Sequence, residues 1–169
     1  MSEPLSQIQP FNYSRTFKAP RALVYEVHSK AEHIAKWFGP AGTKVGKFEM
    51  DFRVGGMNHY CIEIPGGIEM WGRQIYREIV PNEKIVHIQS FSDKDGGIGH
   101  HPMSPTWPLE MLAVTTFEDD GAGTKVTVSW LPYNADQEGI NTFDVARGSM
   151  TGGFKGMFDT LQVYVENLA

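Results

Sequence analysis

The spacing of apolar residues changes twice along the chain, and each change predicts a different kind of element. Residues 11–18 alternate between apolar and polar positions, which predicts a first strand. After Pro20, a residue that suits the first turn of a helix, the segment ALVYEVHS has its apolar residues on one side, and AEHIAKWF follows before Gly39 and Pro40. We therefore expect one strand followed by two short helices.

From Thr43 onwards the apolar period shortens to two, which indicates a series of strands. Turn residues separate these strands, so that neighbours can pair as antiparallel hairpins. The six predicted strands are VGKFEMDFR, MNHYCIEI, IEMWGRQIYREIV, KIVHIQSFS, WPLEMLAVTTFE and TKVTVSWLP. Residues 93–106 form a long loop rich in glycine and proline, and loops of this length inside compact domains are often lids or binding loops.

The C-terminal segment returns to helical spacing, with Asn141 and Asp144 as candidate caps at its start. Its apolar stripe consists of Phe143, Met150, Phe154, Met157, Phe158, Leu161, Val165 and Leu168. Four glycines between residues 148 and 156 weaken the first half of this helix, by up to about 1 kcal/mol each relative to alanine. They predict a kink, or a place where the helix backbone approaches another element closely.

The predicted elements form an α+β pattern, β-α-α-β(6)-α, with an antiparallel sheet and helices at both ends of the sequence. One helix cannot fill the concavity of a curved sheet of that many strands, so the remaining space is either packed by side chains or left as a pocket. No repeat or linker divides the chain. We expect a flexible leader over residues 1–10 and a single domain over residues 11–169.

Composition excludes several classes of function. The net charge is −5 and no basic run is present, which argues against binding to nucleic acid or to an anionic membrane surface. The apolar runs are too short to cross a bilayer and the N-terminus lacks a signal-peptide pattern, so we expect a cytoplasmic protein. The features that stand out are the aromatic fraction of 12% and the eight methionines, which supply large and adaptable apolar surface.

The sequence has no motif of a phosphate loop, a zinc protease or a nucleophile elbow, and we expect no cofactor and no metal. His100 and His101 are interpreted as polar loop residues rather than metal ligands. His59 and His87 lie in the middle of strands, where a histidine beside a pocket could act as a general base, although a hydrogen-bonded histidine on a sheet face is more common. Cys61 has no activating neighbour and is interpreted as a buried apolar residue.

The role of two arginines depends on which face of their strand, IEMWGRQIYREIV, points toward the pocket. Arg73 and Arg77 share a face with Trp71. If that face points inward, an arginine could bind an anionic group of a ligand; if it points outward, both are surface charges. The alternation alone does not decide, because a shift of one residue exchanges the two faces.

The strongest functional signal is a set of large side chains from the elements that would border a space between sheet and helix. Each of them taken alone is more often a core residue, but we expect some to contact a cavity, since apolar pockets with few polar anchors are typical small-molecule sites. The candidate cavity residues are Trp37, Phe38, Met70, Trp71, His87, Trp107, Met111, Phe143, Met150, Phe154 and Met157.

The order of several local motifs resembles the START-like (SRPBCC) superfamily, and within it the family related to the C-terminal domain of the activator of heat-shock protein 90 ATPase. The matching segments are Pro20 with Val24 and Tyr25, then WFGP at 37–40, DFRVGG at 51–56, YREIVPNEKIV at 76–86, GTKV at 123–126 and GFKGMFDTLQVYV at 153–165. The resemblance implies a helix-grip fold, in which a curved antiparallel sheet surrounds a long C-terminal helix, with a hydrophobic pocket between them.

Three functions remain open at this point. The favoured one is a non-enzymatic protein that binds a small apolar or aromatic ligand, because no acid, base and nucleophile converge in the sequence. The alternatives are a pocket enzyme of the polyketide cyclase, dehydratase or hydrolase kind, and an interaction protein that regulates a chaperone. The aromatic residues could also form a homodimer interface.

Overall fold

The structure of the protein is a computed structural model, and it describes residues 8–169. The chain begins with β1 (Phe11–Phe17), α1 (Arg21–Ser29) and α2 (Ala31–Trp37). Alternation in β1 buries Phe11 and Phe17 at its two ends. Pro20 is the N-cap residue of α1, and its carbonyl accepts the backbone N–H groups of Leu23 and Val24 at 3.0 Å.

The remaining strands follow in the predicted order. They are β2 (Lys44–Glu49), β3 (Met57–Ile64), β4 (Ile68–Val80), β5 (Lys84–Phe91), β6 (Glu110–Asp120) and β7 (Gly123–Tyr133). Within residues 8–169 the strands form one antiparallel sheet in the order β1-β7-β6-β5-β4-β3-β2. Register shifts at Val45/Lys47 and at Tyr76/Glu78 interrupt the ladders, and such bulges bend a sheet.

Two helices complete the chain, α3 (Gln137–Val145) and α4 (Arg147–Leu168). The apolar side of α4 faces the concave side of the sheet and buries Met150, Phe154, Phe158, Leu161 and Val165. The ring of Phe154 packs edge-on against Trp130 of β7, with 4.9 Å between ring centroids. A curved antiparallel sheet around a long C-terminal helix is the helix-grip fold, and the predicted fold class is confirmed.

The predicted start of the C-terminal helix is wrong. The helical segment begins earlier, because Asp136 caps it: its Oδ1 accepts the Gly139 N–H at 2.8 Å. Asn141 is instead inside α3, where its Oδ1 accepts Gln137 Nε2 at 2.9 Å. The segment then divides at Ala146, where ψ is near 0°, so that α4 starts at Arg147.

Strand β2 is shorter than the predicted segment at 45–53. It ends at Glu49, and a tight turn over residues 51–56 leads into β3. A Cβ atom at Gly56 would lie only 2.1 Å from the carbonyl oxygen of Asp51, so this turn requires glycine at that position.

The predicted leader falls partly outside the described residues, which begin at Ile8. Ile8 is buried, and Arg147 donates hydrogen bonds to the carbonyls of Gln9 and Pro10. The end of this segment therefore packs against the start of α4. Across residues 8–169, no helix combines the length and the apolar character needed to cross a membrane.

Candidate functional site: a divided cavity under the C-terminal helix

Two chambers lie between the concave face of the sheet and the first half of α4. The inner chamber has a volume of about 90 Å³, and the outer chamber, which is partly open to solvent, about 220 Å³. The residues that line both are Phe38, Gln89, Trp130, Phe154 and Met157. Because they share these walls, the two chambers are adjacent parts of one cavity.

The floor of the inner chamber is polar. Asn58, Gln74 and Gln89 lie directly opposite one another on β3, β4 and β5, and Tyr76 lies opposite His87 one row further along. The side chains of paired residues point to the same side of a sheet, so all five project from the concave face. Pairing thus collects five neutral polar groups in one patch.

Hydrogen bonds connect most of this patch. Asn58 Nδ2 donates to Gln74 Oε1 at 3.0 Å and to the Tyr76 hydroxyl oxygen at 2.6 Å. Gln74 Nε2 donates to Gln89 Oε1 at 3.4 Å. Asn58 Oδ1 and both ring nitrogens of His87 are buried and have no hydrogen-bond partner in the protein.

The walls of both chambers are uncharged. No aspartate, glutamate, lysine or arginine is among the described residues that line them. Burial lowers the pKa of His87 to about 4 and that of His28, whose Nδ1–H donates to the Val24 carbonyl, also to about 4. Burial raises the pKa of Tyr76 to about 12. At pH 7 these groups are all neutral.

The outer chamber is mainly aromatic and thioether in character. Its further lining residues include Tyr60, Ile62, Met70, Phe91 and Met150. Gly153 of α4 also lines it, and a Cβ atom added there would meet nothing within 4 Å. The helix is held close to the end of α2 because Gly156 leaves room for Ala41, whose Cβ would lie 3.2 Å from an added Cβ.

The candidate cavity residues fall into five groups. Trp37 and His87 line the inner chamber; Met70, Trp71 and Met150 line the outer one; Phe38, Phe154 and Met157 line both. Trp107 and Met111 line a small crevice of about 20 Å³, which shares Tyr60, Gln89 and Phe91 with the outer chamber. Phe143 is fully buried beside Trp107 and lines neither chamber.

Trp71 borders the outer chamber, but its ring does not point into it. It pairs with Cys61, so its side chain projects from the convex face, opposite to the concave-facing neighbour Met70. Its ring lies against His59, with 5.1 Å between centroids, and Lys47 Nζ lies 5.6 Å from the ring centre. Its ring therefore packs on the far side of the sheet.

The same register decides the orientation of the arginines: their face points away from α4. Arg73 Nη1 donates to the carbonyl of Gly96 at 2.9 Å, and His59 Nε2 bonds to the carbonyl of Asp93 at 3.1 Å. Arg77 is exposed. The first part of the long loop is thus held on the convex face and does not cover the cavity. Its later part returns to the cavity side, where the ring of His101 lies against Phe91 at an angle of 51°, with 4.5 Å between centroids.

The surroundings of Cys61 and His101 favour a structural role over a catalytic or metal-binding one. Cys61 is buried on the convex face, and burial raises the pKa of its thiol to about 11, which disfavours the reactive thiolate. His101 Nδ1 accepts the backbone N–H of Met103 at 3.0 Å. Among residues 8–169, no three His, Cys, Asp or Glu side chains come together as a metal site.

Sequence reasoning missed most of the polar floor. Asn58, Gln74, Tyr76 and Gln89 are polar residues inside strands, and alternation does not say which face of a strand is concave. Of these four residues, Gln89 could have been identified from the sequence, because it lies two residues from the candidate His87 and therefore on the same face of its strand. The others become visible only once the pairing of β3, β4 and β5 is known.

The sequence and the fold are both similar to known proteins. Residues 18–166 match the family described as Activator of Hsp90 ATPase homolog 1-like protein. No curated protein matches the sequence significantly.

Solved structures of bacterial proteins share the fold at low sequence identity. A protein from Arthrobacter aurescens aligns with a TM-score of 0.77 and 17% identity, over 98% of this chain and 90% of that one. A protein from Chromobacterium violaceum aligns with a TM-score of 0.72 and 21% identity, over 94% and 98%. An AHSA1 protein from Silicibacter pomeroyi aligns with a TM-score of 0.70 and 14% identity, over 95% and 100%.

The family match covers nearly the whole chain, and the helix-grip architecture of the structure agrees with it. The chain belongs to the Activator of Hsp90 ATPase homolog 1-like (AHSA1) family of the START-like superfamily.

Proposed function

We propose that this protein binds a small apolar molecule, preferentially an aromatic one, in the cavity between its sheet and α4. The observation that carries the proposal is the outer chamber of about 220 Å³ with its aromatic and methionine walls. Well-packed protein interiors leave few voids larger than a water molecule. An apolar space of this size is therefore a feature that binding of a ligand would explain.

The size of the chamber limits the ligand. An engineered apolar cavity of about 150 Å³ in another protein binds benzene, so about 220 Å³ suits a body of one or two aromatic rings. For a compound of ten non-hydrogen atoms that gains roughly 0.6 kcal/mol per atom, the dissociation constant is on the order of tens of micromolar.

The chemistry of the walls favours binding over acid–base catalysis. General acid–base catalysis works best with a group whose pKa is near the operating pH. His28 and His87, the histidines of the inner chamber, have pKa values lowered to about 4, and no carboxylate, lysine or arginine lines either chamber in the described part of the chain. We therefore place the pocket-enzyme alternative second.

A matched pair of glycine variants tests the proposal. Gly152 and Gly153 are neighbours in α4 with open space at their Cβ positions, but only Gly153 lines the outer chamber. We expect Gly153→Leu to weaken binding of naphthalene at least tenfold, because the new side chain occupies the chamber. Gly152→Leu should leave binding unchanged, while both substitutions raise helix propensity equally.

Binding is measured by equilibrium dialysis of naphthalene against the wild type and the two variants, with circular dichroism to show that all three are folded. Equal affinity of Gly153→Leu and Gly152→Leu would mean that the hydrocarbon binds elsewhere. Absence of naphthalene binding to the wild type would contradict the proposal.

A further inference from the structure

The inner chamber differs in chemistry from the outer one, and this difference specifies part of the ligand. Five neutral polar side chains form its floor on three adjacent strands, whereas the outer chamber has Gln89 as its one amide wall within the described chain. A cavity that holds a pure hydrocarbon needs no such patch. Buried polar groups without partners carry a free-energy cost that a ligand group can remove.

Buried atoms without hydrogen-bond partners give the clearest indication that the ligand carries a polar group. Asn58 is 1% exposed, and its Oδ1 has no partner, although its Nδ2 makes two hydrogen bonds. His87 has two buried ring nitrogens without partners. A neutral imidazole offers one donor and one acceptor. In the residues that form the floor of the inner chamber, these buried atoms leave one donor and two acceptors unmatched.

The absence of charge around the chamber determines the kind of group that fits. A carboxylate, phosphate or ammonium group would lose its hydration there, and no ion of opposite charge lines the described walls. His87 does not supply a positive charge at neutral pH, since burial lowers its pKa to about 4. A neutral hydroxyl, phenol or amide group loses far less hydration and can both donate and accept.

We propose that the ligand carries a neutral hydrogen-bonding group, of the phenol or alcohol class, which enters the inner chamber and bonds to the unpaired atoms of Asn58 and His87 while the aromatic body stays in the outer chamber. The shared walls, among them Phe38 and Met157, place the two chambers side by side, so one molecule can reach both. The inference rests on the proposed function, since it specifies the ligand of the same cavity.

Three probes of the same ring system test the inference: naphthalene, 2-naphthol and 2-naphthoate. They present a hydrocarbon, a neutral hydroxyl and an anion on one bicyclic body. For the wild type at pH 7, we expect 2-naphthol to bind about fivefold to tenfold more tightly than naphthalene, as one or two neutral hydrogen bonds contribute. 2-Naphthoate should bind more weakly than naphthalene.

Two substitutions remove the polar partners. Asn58→Leu and His87→Phe should each reduce the preference for 2-naphthol over naphthalene to less than threefold, with naphthalene binding retained. His87→Phe removes no hydrogen bond of ordinary length, and the side chain of Gln89 raises the pKa of His87 less than burial lowers it. This variant therefore provides the comparison even if Asn58→Leu fails to fold. His59→Phe is the matched control, because His59 is a strand histidine on the convex face, and it should keep the full preference for 2-naphthol.

The outcomes separate the inference from the proposed function. If naphthalene and 2-naphthol bind the wild type equally well, the polar-group inference is wrong and the proposed function stands. Equal or tighter binding of 2-naphthoate would contradict the neutral character of the group. An unchanged 2-naphthol preference in both Asn58→Leu and His87→Phe would place the hydroxyl elsewhere. If none of the three probes binds, the proposed function and the inference both fail.

Discussion

Replacing His87 by phenylalanine should change how the stability of the protein depends on pH. The two ring nitrogens of His87 are buried without a hydrogen-bond partner, and desolvation lowers the pKa of His87 to about 4 in the folded protein. In the unfolded chain the pKa returns to about 6.5. Between these two values the unfolded state binds a proton that the folded state excludes. The full stability is therefore present above pH 6.5 and is lost as the pH falls toward 4.

The size of the effect follows from the two pKa values. A group that is protonated only in the unfolded state lowers the free energy of unfolding by up to about 1.4 kcal/mol per pH unit. Between pH 7.5 and pH 5.0, His87 should therefore account for a loss of roughly 2 kcal/mol. His28, with its pKa also lowered to about 4, adds a loss of similar size that the substitution leaves in place.

Phenylalanine removes the proton and the unpaired nitrogens together. The adjacent space of about 90 Å³ leaves room for the larger ring. At pH 7.5 we expect His87→Phe to be as stable as the wild type or more stable, because burying an unpaired polar group without a partner is unfavourable. At pH 5.0 the variant should be more stable than the wild type by roughly 2 kcal/mol in addition.

Urea unfolding followed by tryptophan fluorescence at pH 7.5 and pH 5.0 gives the four free energies. Hydrogen bonds lower the pKa values of carboxylates such as Asp93 and Asp159, so these groups stay ionised in the folded and the unfolded state between pH 7.5 and pH 5.0. The difference between the two proteins therefore isolates His87. Equal losses of stability in wild type and variant would refute the view that His87 is buried as a neutral, unpaired group.

The other predictions concern the elements that build the cavity. Gly152→Ala should raise the free energy of unfolding by about 0.5–1 kcal/mol, because alanine favours the helix and its Cβ meets nothing within 4 Å; thermal unfolding would show a higher Tm, and a lower one would contradict this. Asp136→Ala should lower the free energy of unfolding by about 1 kcal/mol through loss of the α3 cap. Asn141→Ala, at a position inside α3, should lower it by less. Leu161→Ala, at a fully buried position of α4, should cost about 2–5 kcal/mol in urea unfolding; a cost below 1 kcal/mol would contradict close packing of α4 at that position.

Periodicity predicted most of the fold because each element is amphipathic in its own way. The strands alternate and α4 has an apolar stripe, so strand order and helix position follow from local pattern. The division of the C-terminal helix at Ala146 escaped prediction, since Ala146 is itself a good helix former and a change of ψ at that position has no compositional signal.

The candidate site was predictable only in part, because the register between neighbouring strands decides which polar side chains meet on the concave face. Large side chains such as Phe154 and Met157 stand out in the sequence and line both chambers. The side chains of Asn58 and Gln74 look like ordinary strand residues until the register of β3 against β4 puts them opposite each other. The register also explains why Trp71, a predicted cavity residue, packs its ring on the convex face.

Methionine methyl NMR tests the central claim most directly, since the thioether methyl groups report on both faces of the molecule. Met70, Met150 and Met157 line the outer chamber, whereas Met57 and Met103 are exposed and line neither chamber. On titration of ¹³C-methyl-labelled protein with 2-naphthol, we expect saturable shifts at the first three methyl groups and unchanged signals from the other two. Shifts confined to Met57 and Met103, or no saturable shift at any methionine, would contradict binding of an aromatic ligand under α4.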